Sequence, residues 1–90
     1  MKINQSNTYK RDIYKQKIDS VMITKTINLL KENIYHPSLH NKNIKCKRAD
    51  NLYSIRINKQ YRILYFKYTE YIELYRVLDH DKYDRLTKDC

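Results

Sequence analysis

The sequence predicts an α+β fold: two N-terminal helices packed on one face of a twisted, mainly antiparallel sheet of four or five strands. Three observations predict it. Ile23, Ile27, Leu30 and Ile34 recur at i, i+4, i+7 and i+11, a helical stripe. From residue 44 onward the chain changes period, with short runs rich in Ile, Tyr, Val and Leu separated by polar turns. No linker, repeat or low-complexity segment divides the 90 residues, so one domain over 1–90 is expected.

The elements follow in order. Residues 2–5 (KINQ) suit a short first strand. Ser6 or Asn7 suits the cap of a helix of about ten residues, in which Tyr9, Ile13 and Tyr14 share a face. Asp19 or Ser20 caps a second helix running to about Asn33, with Met22 and Thr26 widening its stripe. Pro37 stops it, because the residue before a proline disfavours the helical region. After the loop HPSLHNKN come four candidate strands, Ile44–Lys47, Leu52–Ile57, Tyr61–Tyr68 and Tyr71–Leu78. Tyr53, Ile55 and Ile57 alternate, as on a half-buried strand, whereas Tyr61–Tyr68 is apolar on both faces, as for a central strand. Connections this short favour antiparallel pairing. The tail Tyr83–Lys88 is expected to form a last helical turn. With no glycine in the chain, left-handed turn positions fall to Asn and Asp, at Asn41, Asn43, Asp50-Asn51 and Asn58.

Nineteen basic residues against ten acidic ones give a net charge of +9, a field that attracts polyanions. Abundant Lys, Asn, Ile and Tyr with no Gly also fit a gene written in AT-rich codons, which accounts for the lysines better than for arginines inside strands. Cys46 and Cys90 form neither a CxxC pair nor a metal-ligand spacing, and are read as reduced thiols of a cytoplasmic protein. The apolar runs are too short for a membrane span. His36, His40 and His80 lie in separate segments without a ligand pattern, so no metal and no cofactor are expected, and His36 and His40 are read as loop residues without a role.

Tyr53–Tyr83 is where chemistry concentrates. A strand pair that brings Arg56, Arg62, His80 and Tyr83 together makes a phosphate-handling surface: cations for charge, an imidazole for proton transfer, and a ring or hydroxyl for positioning. Each residue also has a plainer reading. Arg62 suits a strand cation paired with Asp79, Arg56 an exposed strand cation, His80 an exposed histidine at a strand end, and Tyr83 one of ten packing tyrosines. Lys42, Lys45, Lys47 and Arg48 form the densest positive run, either a solvated face or a set of RNA phosphate contacts.

The order of these pieces carries a resemblance. A helical hairpin, a P-x-L loop (Pro37, Leu39), a basic strand, a strand reading YSIRI, the segment YRILY (Tyr61–Tyr65) and a closing H-x-x-Y (His80, Tyr83) follow one another. In this order the chain resembles, over nearly its whole length, the RelE/ParE superfamily of bacterial toxins from toxin–antitoxin operons. Within it the chain is most similar to the ribosome-dependent mRNA interferases. The resemblance implies a metal-independent endoribonuclease that cleaves mRNA in the ribosomal A site by 2′-hydroxyl attack on the phosphate. It puts Arg62 on the reacting phosphate, His80 as general acid and Tyr83 stacking on or orienting the nucleotide, with Arg56 beside them. The general base is left open: Asn43 stands where a titratable group is expected, and Lys42, Lys45 and Lys47 are the nearby substitutes. The partners implied are mRNA, the ribosome and an acidic, partly disordered antitoxin. Two other functions stay open: a ParE-like inhibitor of DNA gyrase, which does not rely on the Arg–His–Tyr set, and a non-catalytic basic nucleic-acid-binding domain.

Overall fold

A computed structural model describes residues 2–90. The chain runs β1 (Lys2–Gln5), α1 (Asn7–Gln16), α2 (Ser20–Glu32), a 3-10 turn (Pro37–Leu39), β2 (Lys42–Asn43), β3 (Leu52–Arg56), β4 (Tyr61–Lys67), β5 (Tyr71–Asp79) and α3 (His80–Lys88). The five strands form one sheet in the order β1-β5-β4-β3-β2. β1 runs parallel to β5, reached through the two helices, and the other neighbours are antiparallel.

Helix boundaries follow local chemistry. The Ser6 hydroxyl accepts from the Tyr9 amide at 3.0 Å and starts α1, and an Asp19 carboxylate accepts from the Val21 amide at 2.9 Å and starts α2. The left-handed positions are not asparagines. Lys17 (φ 51°) closes α1, and His40 (φ 47°) closes the 3-10 turn, because both stand where a helical segment reverses direction. Asn58 works through its side chain instead, its Oδ1 accepting from the Gln60 and Tyr61 amides at 2.8 Å in the β3–β4 turn.

The sheet is covered on both faces. On one face α1, α2 and the turn between them pack through Tyr9, Leu30 and Ile18 onto Ile55, Ile63, Tyr65, Ile72, Leu74 and Val77. Ile23 and Ile27 join this core half-buried. Full burial of each such aliphatic side chain contributes about 1.5–3 kcal/mol, so this layer carries most of the stability. Tyr14 does not belong to it and is 85% exposed; besides Tyr9, the buried position on α1 is Asp12. On the other face α3 lays Tyr83 and Leu86 against Ile44, Leu52, Leu64 and Leu78. The third helix thus begins three residues before the expected tail turn and lies opposite the first two.

Two features had no expectation attached. A register shift between Leu64 and Tyr65 makes Tyr75 an extra residue on β5, so Leu74 and Val77 face the first core while Leu78 turns to the second. Past the end of β1, α1 closes the open edge of β5: Asp12 accepts from the Val77 amide at 3.0 Å and from the Arg76 guanidinium at 2.9 and 3.3 Å, and Gln16 donates to the Val77 carbonyl at 2.9 Å.

The expected strand over Ile44–Lys47 does not form: the strand here is β2, Lys42–Asn43, just before it, and the chain then enters a tight turn bridged between Cys46 and Ala49. That turn meets the end of α3. Cys46 and Cys90, read from the sequence as free thiols, form a disulfide with Cα atoms 4.4 Å apart. No sequence spacing announces it, because the sheet and α3 alone bring residues 44 positions apart together. In the chain-entropy picture a cross-link closing a loop of this size stabilises the fold by about 4 kcal/mol.

Candidate active site

Strand register assembles the site. Arg56 on β3 and Arg62 on β4 are directly opposed, and Leu78 on β5 faces Arg62 from the other side. By the two-residue alternation of β-strands, Arg56 shares its face with Leu52 and Ser54, and Arg62 shares its face with Leu64. This is the face away from α1 and α2. β5 then ends in Asp79, whose carboxylate accepts from the Lys82 amide at 2.9 Å and caps α3. Capping there makes His80 the first residue of the helix and turns Tyr83 inward.

These elements enclose a cavity of about 460 Å³ lined by Arg56, Arg62, His80 and Tyr83, together with Lys42, Lys59, His40 and Asp84. Four permanent cations against one carboxylate make it an anion site, with field lines concentrated by the low-dielectric sheet beneath.

Arg62 is held from three sides. Its Nε and Nη2 donate to the buried Ser54 hydroxyl at 3.3 and 2.9 Å, and Nη2 also donates to the His40 carbonyl at 2.9 Å. Its guanidinium lies over the Tyr83 ring, 5.2 Å from the centroid. A guanidinium has five N–H donors, so the two on Nη1 are left without a protein acceptor among the described residues. Such a group is preorganised, with donors to spare for a phosphate oxygen. Pairing of Arg62 with Asp79 does not occur, because Asp79 is used as the cap.

Tyr83 differs from its expected role. It is only 8% exposed, its ring is covered by Arg62, and its hydroxyl shares a 3.2 Å hydrogen bond with Ser54. Spacing explains this: Tyr83 and Leu86 are three apart on α3 and form its buried stripe. The ring is therefore a support for Arg62 and is not free to stack on a base. His80 is exposed, with Nε2 3.4 Å from the Asp84 carboxylate at i,i+4. That partner lies one helical turn on, and is neither of the flanking residues Asp79 and Asp81.

The basic run divides. Lys42 lines the cavity with Arg56 and Arg62. Arg48 lines a separate groove beside the disulfide, and Lys45 and Lys47 are exposed and line neither. The reason is the shortness of β2: beyond Asn43 the chain leaves the sheet edge for the 46–49 turn. Arg56 donates through Nε to the Asn58 carbonyl at 3.2 Å and lines the cavity with its remaining donors unassigned.

His40, read from the sequence as a loop residue without a role, lines the cavity, and Ser54 and Asp84, not singled out from sequence, join the site through Arg62 and His80. For Ser54 a signal exists: in LYSIR a small hydroxyl stands between Leu52 and Arg56 on one strand face, where a third apolar residue is the ordinary choice. For Asp84 the i,i+4 spacing from His80 is visible once the helix start is known. For His40 only the three-dimensional fold of the loop reveals it. His36 has a local role, its Nδ1 accepting from the Ser38 amide at 3.2 Å. Among the described residues, no cluster of His, Cys, Asp or Glu is arranged to hold a metal ion, and no helix is long and apolar enough to cross a membrane.

Comparison with known proteins follows the same lines. No curated protein matches the chain. Among solved structures, a copper-bound mutant toxin from Helicobacter pylori superposes with a TM-score of 0.75 at 19% identity, covering 91% of this chain and 97% of that one. The Escherichia coli DinJ-YafQ toxin-antitoxin complex gives a TM-score of 0.73 at 14% identity, covering 89% and 92%. The YoeB dimer from Staphylococcus aureus gives 0.66 at 26% identity, covering 89% and 97%. The ParE-like toxin domain matches residues 21–85, which span α2 through most of α3. The chain belongs to this ParE-like toxin family, within the RelE/ParE toxin superfamily.

Proposed function

We propose that residues 1–90 form one toxin domain of a type II toxin–antitoxin system, and that its cavity cleaves mRNA on the ribosome without a metal ion. The observation that carries this is the convergence of Arg56, Arg62, His80 and Tyr83 on one cationic cavity that also holds Lys42.

The reaction is attack of a 2′-hydroxyl on the adjacent phosphorus. A P–O2′ bond forms, the P–O5′ bond breaks, and the products are a 2′,3′-cyclic phosphate and a 5′-hydroxyl. Arg62, fixed by Ser54, His40 and Tyr83, directs its Nη1 donors at the non-bridging oxygens, where negative charge grows. Arg56 and Lys42 supply further positive charge along the backbone. His80 gives a proton to the departing 5′-oxygen, with Asp84 orienting the imidazole. His40 lines the same cavity and offers the titratable group that Asn43 lacks, so it is the base in this reading. The lysines are then left to bind phosphate. The partner in the cell is an acidic antitoxin, in keeping with the net charge of +9 and with the toxin–antitoxin complex among the structural neighbours.

Primer extension on ribosomes programmed with a defined mRNA tests the reading: purified protein should produce cuts at the A-site codon in the presence of a metal chelator. The gyrase-directed alternative draws on the ParE-like description of the matched family. It predicts inhibited supercoiling by gyrase and intact mRNA in the same preparation.

A further inference from the structure

The sheet face that carries the cavity also carries a groove of about 630 Å³, and the reaction above does not use it. Leu52, Leu78 and Leu86 line it, Arg48, Lys82 and Arg85 outnumber the one carboxylate, Asp89, and the Cys46–Cys90 bridge forms part of its wall. The bridge ties the turn that leads into β3 to the segment that leaves α3. Those two elements supply Ser54 and Tyr83, the side chains that hold Arg62.

α3 has reason to need the tie. It has nine residues, shorter than helices that persist alone, and Tyr83 is its one buried side chain. Both cysteines are partly exposed toward the groove. The nearby cations draw in an anionic thiolate and stabilise the thiolates released, which makes the bond open to exchange.

We propose that Cys46–Cys90 is a thiol–disulfide exchange site, opened by a dithiol reductant, and that its state sets how firmly α3 holds Tyr83 against Arg62. One thiolate of the reductant attacks one sulfur of the bridge, forming a mixed disulfide and releasing the other cysteine as a thiolate. The second reductant thiol, as its thiolate, then displaces the remaining cysteine. The protein gains two electrons and two protons, and the reductant leaves as its own disulfide. The effect on α3 follows from the bridge alone, whereas any effect on cleavage rests on the proposed function.

The test uses the full chain, with and without dithiothreitol, read by iodoacetamide alkylation and by hydrogen exchange. Without reductant neither cysteine should alkylate. With it both should, and the amides of Tyr83–Leu86 should come to exchange at least about tenfold faster than those of β4, whose protection falls only as far as global stability does. A Cys46→Ser, Cys90→Ser double variant should match the reduced protein and ignore dithiothreitol; if it does not fold, the reduced wild type carries the comparison. Alkylation before reduction, or α3 exchange unaltered by reduction, overturns the proposal. Loosened α3 with no cleavage in either redox state upholds the exchange site and overturns the proposed function.

Discussion

Arg62 is useful because three unrelated groups agree on where it sits: a strand hydroxyl, a loop carbonyl and a helix tyrosine. Ser54→Ala tests this at the cost of one oxygen. It removes two acceptor contacts from Arg62 and leaves the Tyr83 hydroxyl without its partner. Cleavage should fall about tenfold or more, as expected when a catalytic group loses its positioning. The thermal midpoint should drop by about 4–8 °C for each kcal/mol of a change on the order of 1–3 kcal/mol. Arg62→Lys should not restore the wild-type rate, since an ammonium cannot reproduce the planar fork that meets Ser54 and His40 together. Tyr9 offers a different residue-scale test. It is buried with its hydroxyl unpartnered, and burial pushes its phenol from 10.0 up to about 12; burial raises Tyr65 likewise. The neutral phenol is the form the fold accepts, so this contribution is whole below pH 10.0 and is lost as pH rises toward about 12. Denaturant midpoints should therefore fall through that window. Tyr9→Phe should flatten the fall and add about 1 kcal/mol at neutral pH, because it deletes a buried hydroxyl that makes no hydrogen bond.

Elements decide which residues meet, and here sequence patterning carried far but not all the way. The α2 stripe, the three long strands and the Asn58 turn were legible because a period of 3.6 or 2 and a side-chain turn are local signals. The bulge at Tyr75 was not, since ELYRVL reads as plain alternation until its register against β4 is known. Asp12 was also missed: it looks like a surface residue of a basic helix, and only the exposed edge of β5 gives it a task. Asp12→Ala should cost about 2 kcal/mol by denaturant unfolding, because the Val77 amide and the Arg76 guanidinium both lose their acceptor. α3 was half-legible. Its tail was expected, but its start depends on Asp79 acting as a cap, and that cap is what puts His80 at the mouth of the cavity. Asp79→Ala should cost about 1 kcal/mol and speed amide exchange in the first turn of α3. A variant that retained full protection there would show that the cap does not place His80.

For the whole molecule, the excess of positive charge is distributed unevenly. The cavity holds Lys42, Arg56, Lys59 and Arg62, whereas Lys45 and Lys47 stand apart from it. Charge composition pointed to a polyanion partner but not to which cations line the cavity, since a run of lysines in sequence divides where β2 ends. Lys42→Ala should weaken RNA binding and lower the salt dependence of log K by about one phosphate contact. Lys47→Ala should do less, and binding isotherms over a range of salt separate the two. The central claim is that the cationic cavity around Arg62 is catalytic. Single-turnover mRNA cleavage on programmed ribosomes by Arg62→Ala, beside the wild type, tests it most directly. The account predicts a rate about 100- to 1000-fold lower, with an unchanged circular dichroism spectrum and undiminished antitoxin binding. Cleavage by Arg62→Ala at the wild-type rate would contradict it.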